Sequence, residues 1–208
     1  MYDVHTLRIN SPDVDQALPQ ILSLSNEIFQ PETQSKHTSL DVWNERLSSP
    51  SSIIFYITRS GVAPPTNVED AIAFLYAHPR VNIPPLHNGE VETLHIWLAG
   101  VRPECRRMGL LRKMVDRLLQ TEMGTVTICT IPPRFPDMWA WLIKRGWAVE
   151  RDAREGRILL SKSAEGPSRV EGPVNGAYCF ASGCAAYARS RSRQSNQPLP
   201  PSVILPLC

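Results

Sequence analysis

Residues 94–115 read Leu-His-Ile-Trp-Leu-Ala-Gly-Val-Arg-Pro-Glu-Cys-Arg-Arg-Met-Gly-Leu-Leu-Arg-Lys-Met-Val, and their order decides the fold. A strand, Glu92 to Val101, runs into a short turn at Pro103. A helix follows from Arg106 to Glu122, with Leu110, Leu111, Met114, Val115, Leu118 and Leu119 on one stripe opposite Arg112, Lys113, Asp116, Arg117 and Gln120. Such a strand-turn-helix aims unpaired backbone N–H groups out of a helix N-terminus, where the helix dipole adds partial positive charge, and so suits a pyrophosphate. Gly109 lets the backbone approach a phosphate with no side chain in the way. Arg102, Arg106, Arg107 and Arg112 surround the turn and add charge. No Gly-Lys-Ser/Thr follows, which excludes a Walker loop, and only Gly109 is present of the three glycines of a dinucleotide fingerprint.

Working outward, the sequence predicts a strand at Val4 to Ile9. A helix over Leu18 to Phe29 comes next, stopped by Pro31, then a shorter one over Leu40 to Leu47 with Ser39 as N-cap. Ser52 to Thr58 and Ala71 to Ala77 read as a hairpin around the proline-bearing loop Gly61 to Asn67, the return strand ending at His78-Pro79. Beyond the central helix come a strand at Thr125 to Ile131 and a helix opened by Pro136 that runs to Arg145 and is capped by Gly146. A final hairpin joins Trp147 to Arg151 with Arg157 to Leu160. The order β, α, α, β, β, β, α, β, α, β, β describes a mixed α/β domain, antiparallel in its front half with a βαβ unit at its centre.

Composition bounds the rest. With 208 residues, 42% hydrophobic and 20% charged, the chain is long enough for one ordinary core plus an appendage. The 22 basic and 20 acidic residues nearly cancel, so no general attraction to nucleic acid or membrane is expected. The N-terminus lacks a signal-like pattern and no apolar run approaches the ~20 residues that span a bilayer, so a soluble cytoplasmic or nuclear protein is expected. Cys105, Cys129, Cys179, Cys184 and Cys208 show no C-x-x-C spacing and read as free thiols. Residues 1–162 form the expected domain. Residues 163–208 turn to Gly, Pro, Ser and Arg and read as a disordered tail, whose Arg-Ser run at 189–193 is a weak pointer to a nucleic-acid or protein interaction module.

Val101-x-Pro103-x-x-Arg106-x-x-Gly109-x-Leu111 resembles the acetyl-CoA signature of the GNAT N-acetyltransferase superfamily, Val-x-Pro-x-x-Arg-x-x-Gly-x-Gly/Ala, and departs from it at Leu111. A second match lies downstream, where Trp139-Ala-Trp-Leu-Ile-Lys-Arg-Gly-Trp is similar to the family's late helix and Gly-aromatic pair. The resemblance covers about residues 4 to 162. It implies the GNAT acyl-CoA N-acyltransferase fold, a mixed six- to seven-stranded sheet flanked by helices whose fourth and fifth strands splay apart around the pantetheine arm. It further implies acetyl-CoA as the donor, held by the backbone of Leu98, Ala99, Gly100 and Val101 and by the turn Arg106, Arg107, Met108, Gly109, Leu110 and Leu111. The implied acceptor is an amine of a small molecule or protein, the implied assembly a monomer or homodimer, and no metal is expected.

Direct transfer needs a neutral amine, hence a base or a chain of waters to take its proton. His95, eleven positions before Arg106, stands where several members of the family carry a Glu or His in that role; a buried, hydrogen-bonded core histidine is the alternative. Glu92, and beside it Glu90, compete from the start of the same strand. The family's acid is often a Tyr four residues before the Gly of the Gly-aromatic pair; here that residue is Leu142, and neither Trp139 nor Trp141 has a labile acid proton. Leu111 and Leu142 together motivate a second reading, a module of this fold that binds coenzyme A or a partner without catalysis.

Overall fold

The structure, a computed structural model, describes residues 1–29, 39–62, 64–121 and 124–163. Its elements are β1 (Tyr2–Leu7), α1 (Val14–Phe29), α2 (Leu40–Leu47), β2 (Ile53–Arg59), β3 (Ala71–Val81), β4 (Glu92–Val101), a 3₁₀ turn (Pro103–Cys105), α3 (Leu110–Thr121), β5 (Thr125–Thr130), α4 (Pro136–Lys144), β6 (Ala148–Asp152) and β7 (Ile158–Ser163). The strands form one sheet in the order β1-β2-β3-β4-β5-β7-β6. Every neighbouring pair is antiparallel except β4 and β5, which α3 connects in parallel. The seven-stranded mixed sheet with its central βαβ unit is the architecture the sequence predicts. Beyond Ser163, which closes β7, the expected disordered tail lies outside the described residues.

Two apolar layers sandwich the sheet. On one face α3 and α4 bring Leu110, Met114, Leu118 and Leu142 against Phe55, Leu75 and Ile96. On the other, α1 and α2 bring Leu18, Ile21, Leu24, Trp43 and Leu47 against Tyr56, Phe74, Tyr76 and Trp97. Because helices cover both faces, Ile53 to Thr58 and Ala71 to Ala77 are buried without interruption, and these strands read as continuous apolar runs. Each large side chain so buried contributes about 1.5–3 kcal/mol.

Several boundaries differ from the sequence reading for local reasons. β1 begins two residues early. The helix α1 starts at Val14, its first turn closed by the Ala17 amide donating to the Asp13 carbonyl at 2.8 Å. Pro19 therefore lies inside α1, where the buried face of Ala17, Leu18, Ile21 and Leu24 outweighs the one bond it cannot donate. β3 runs through Pro79 to Val81 instead of stopping at His78. β2 begins opposite Ala77, so His78 to Val81 pair with β4 alone and form an edge, where proline is tolerated. The helix α3 begins at Leu110 and not at Arg106, because Arg107 and Gly109 have left-handed φ of 64° and 76° that no helix accommodates.

Candidate active site

β4 departs from regular pairing at Trp97. Toward β3 the register passes from Ala77 opposite Ile96 to Tyr76 opposite Leu98, which leaves Trp97 as an extra residue. A bulge of this kind breaks the alternation of faces. Trp97 and Leu98 accordingly both pack with the α1–α2 layer, while Ile96 and Ala99 pack beneath α3 and α4. Toward β5 only Leu94, His95 and Ile96 are paired, opposite Val126, Thr127 and Ile128, and from Trp97 onward the two strands fork. The Arg102 amide donates to the Ile72 carbonyl at 2.9 Å, so by strand alternation the backbone of Leu98 and Gly100 serves β3 while that of Ala99 and Val101 faces the open side of the fork. Arg106 Nε, 3.4 Å from the Val101 carbonyl, lies on that side.

Of the four residues expected to bond the donor's arm, Ala99 and Val101 thus present their backbone to the gap. Gly100 serves packing: a Cβ there would come within 2.9 Å of Ile28 Cδ1 and 3.0 Å of Phe74 Cε1. The gap itself is a tight slot. A cavity of roughly 10 Å³, room for about one water, lies among Ala99, Leu111, Ile128, Met138, Trp141 and their neighbours. Leu111, the point of departure from the signature, is one of its walls.

At the mouth of the fork the chain makes the expected turn. The Lys113 amide donates to the Gly109 carbonyl at 3.0 Å, the first bond of α3, so the amides of Leu110, Leu111 and Arg112 point out of the helix end. Nothing lies within 4 Å of where a Gly109 Cβ would stand, and Arg106, Arg107 and Met108 are exposed around this open seat. The seat fits a pyrophosphate. Arg102 does not belong to it: its guanidinium is buried, donating to the Ala71 carbonyl at 3.1 Å and the Val68 carbonyl at 2.8 Å and pairing with Glu27. Arg112 pairs with Asp116 at 3.2 Å on the exposed side of α3.

His95, 1% exposed, lies on the face of β4 opposite α3 and α4, in a polar cluster just before the fork. Nδ1 is 2.9 Å from Thr127 Oγ1, and Arg80 Nη1 is 3.3 Å from Nε2. Thr127 Oγ1 in turn lies 3.2 Å from Thr93 Oγ1, which accepts from Asn82 Nδ2 at 2.9 Å. Arg80 Nη1 is also 3.5 Å from Nδ1, so it spans both ring nitrogens, and the Thr127 hydroxyl can donate or accept; these contacts hold the ring without selecting a tautomer. His78, by contrast, is fixed in one tautomer, because a carbonyl only accepts and an arginine only donates. Its Nδ1 donates to the Pro79 carbonyl at 2.8 Å and its Nε2 accepts from Arg46 at 2.9 Å. Burial, opposed by the bond to Pro79 and reinforced by Arg46 and Arg80, holds its pKa below the ordinary histidine value. The Arg46 guanidinium lies 4.2 Å from the centroid of the Trp97 indole, and burial lowers its own pKa.

Glu92 is exposed and, three residues from His95 on an unbulged stretch of strand, belongs to the other face of the sheet; Glu90 lies in the loop before β4. The structure does not bring either together with His95. Leu142 is fully buried in the core beneath α4, so no acid stands there, and Trp139 and Trp141 pack against that same core. Neither Cys105 nor Cys129 is in a disulfide, and Cys129 accepts a long contact of 3.6 Å from Arg80. Among the described residues no three His, Cys, Asp or Glu side chains converge as a metal site requires, and no helix is long and apolar enough to cross a membrane. Sequence reasoning missed Arg46, His78 and Arg80. Only the alternation of His78 and Arg80 about Pro79 marked them, and ending the strand at His78 hid it.

No protein-family model matches the sequence, and no curated protein matches it. Solved structures do. NAA60 of Arabidopsis thaliana in complex with acetyl-CoA superposes with a TM-score of 0.56 at 12% identity, covering 80% of this chain and 100% of that one. The ribosomal-protein-S18-alanine N-acetyltransferase of Escherichia coli gives 0.55 at 13% identity, covering 83% and 99%. The loading GNATL domain of CurA from Lyngbya majuscula gives 0.54 at 13% identity, covering 79% and 98%. The fold of this chain is the GNAT fold.

Proposed function

We propose that this chain, built on the GNAT fold, binds acetyl-CoA in the fork of β4 and β5 and transfers the acetyl group to an amine. The observation that carries the reading is the fork itself: the free backbone edge of Ala99 and Val101 leads from the open seat at Gly109 to the buried cluster around His95. Bound acetyl-CoA supplies an activated thioester. The amides of Leu110 and Leu111 and the side chains of Arg106 and Arg107 would hold its pyrophosphate, and Ala99 and Val101 its pantetheine arm as a strand-like partner. The buried His95 imidazole, held between Thr127 and Arg80, is the candidate general base, and Arg80 must yield a ring nitrogen, directly or to a bridging water, for it to take the amine's proton. Thr127 helps to orient the ring.

Leu111 favours a second reading. Its side chain walls a slot with space for about one water, and Leu142 leaves the acid position apolar, as expected of a module that binds coenzyme A without turning it over. Thermal stabilisation by acetyl-CoA tests binding, with about 2.7 kcal/mol expected at 100 times the dissociation constant. Release of free thiol in the presence of an amine panel tests transfer. Stabilisation without thiol release selects the second reading, and no stabilisation at millimolar acetyl-CoA sinks both.

A further inference from the structure

Two hydrogen-bond donors meet where β4 forks, on the face of the sheet away from α3 and α4. The first is the Arg46 guanidinium, half-buried at the end of α2, with one nitrogen on His78 and its central carbon 4.2 Å from the centroid of the Trp97 ring. Among the described residues its partners are a neutral imidazole and an indole and no carboxylate forms an ion pair with it; Glu45, which acts on it through space, is exposed on α2. The second is Trp97 Nε1, a buried N–H with no acceptor, on a residue 5% exposed. A half-buried cation with only neutral partners and a buried orphan donor are each unfavourable by themselves, and both are relieved by an anion that accepts hydrogen bonds. Arg80, on His95, adds to the positive potential of the same face. Trp97 is also the first residue of β4 released from β5, so this buried N–H and the half-buried guanidinium stand beside the proposed point of transfer.

From this pairing of Arg46 with Trp97 at the fork, we propose that the acceptor is an amine that also bears a carboxylate, an α-amino acid, whose carboxylate is received by Arg46 and the Trp97 N–H while its amine faces His95. The planar fork of a guanidinium matches a carboxylate in a way a lysine does not. The inference rests on the acetyl-transfer reading above and gives that reading its substrate class.

The test uses the full chain, acetyl-CoA, and the common α-amino acids paired with their carboxamides, read both by thiol release and by calorimetric binding in the presence of coenzyme A. At least one amino acid is expected to exceed its own amide roughly 10- to 100-fold in kcat/KM and in affinity, the effect of one charged hydrogen-bonded contact. Arg46→Gln should erase that preference through the KM of the acid. Arg46→Lys should retain part of it, and Trp97→Phe should weaken it in a variant whose circular dichroism shows an intact fold. Equal use of acid and amide, or an undiminished preference in folded Arg46→Gln, overturns the proposal. Absence of thiol release with every amine defeats the transfer reading instead, and the calorimetric comparison then still decides whether Arg46 receives a carboxylate.

Discussion

Arg80 Nη1 spans the His95 ring nitrogens, 3.3 Å from Nε2 and 3.5 Å from Nδ1, while Nδ1 meets Thr127 Oγ1 at 2.9 Å, so the imidazole is gripped from both sides. In the role of base proposed for it, His95 would be oriented at the cost of freedom. His95→Ala is expected to lower turnover by roughly 10²- to 10⁴-fold with acetyl-CoA affinity intact. Thr127→Val is expected to cost about 1–3 kcal/mol in urea unfolding, because it removes the hydroxyl that meets a buried ring nitrogen. Full turnover per folded molecule in His95→Ala would return His95 to the role of a core residue.

Gly109→Glu is expected to abolish stabilisation by acetyl-CoA. The new side chain would enter a space empty to 4 Å, where its charge opposes phosphate, and a φ of 76° suits no L-residue well. Circular dichroism should show an intact domain with at most a few degrees lost from the melting temperature. Near-native affinity would remove the turn from the site.

Leu111→Ala separates the two functional readings. Truncation widens the slot beside Ala99, Ile128 and Met138, and is expected to tighten acetyl-CoA binding about tenfold while destabilising the half-buried position by about 1–3 kcal/mol. Calorimetry on wild type and variant decides it: weaker binding would mean that Leu111 is a contact and not an obstruction.

His78 sets a pH dependence. Its folded pKa lies below the ordinary 6.5, chiefly because burial disfavours the charged ring, so between those two values the unfolded chain holds the extra proton. Stability therefore falls as pH drops from about 6.5 toward the folded value. His78→Gln should flatten that part of the curve in denaturation series at fixed ionic strength. A wild-type curve without the slope would show that His78 is accessible and unshifted.

Much of this was legible in the chain. The strand Glu92 to Val101 has its observed ends because the turn residues Pro84, Pro85, Asn88 and Gly89 precede it and the turn at Pro103 follows it, and the paired strands of the front half announce themselves by β-branched runs. The start of α3 was not legible, since Arg107 adopts left-handed φ, which sequence reserves for glycine or asparagine. The reach of β3 past Pro79 was hidden for a different reason: proline's exclusion from strands lapses at an edge, and whether a segment is an edge depends on how far its neighbour extends. That neighbour's limit, Ile53, lies some twenty-five residues away in sequence. The cluster of Arg46, His78 and Trp97 escaped with it, because these residues come from three elements and meet only once Trp97 has bulged.

The fork also bears on how this protein ages in solution. A sheet normally has two exposed rims, and those rims are where misassembly between molecules begins. Here β4 creates a third, internal rim at Ala99 and Val101, sheltered by α3 and α4 and narrowed by Leu111, yet unpaired along its backbone. An occupant that runs along this rim as a strand would close it. Storage with such an occupant should thus suppress slow β-type aggregation more than its gain in melting temperature alone accounts for.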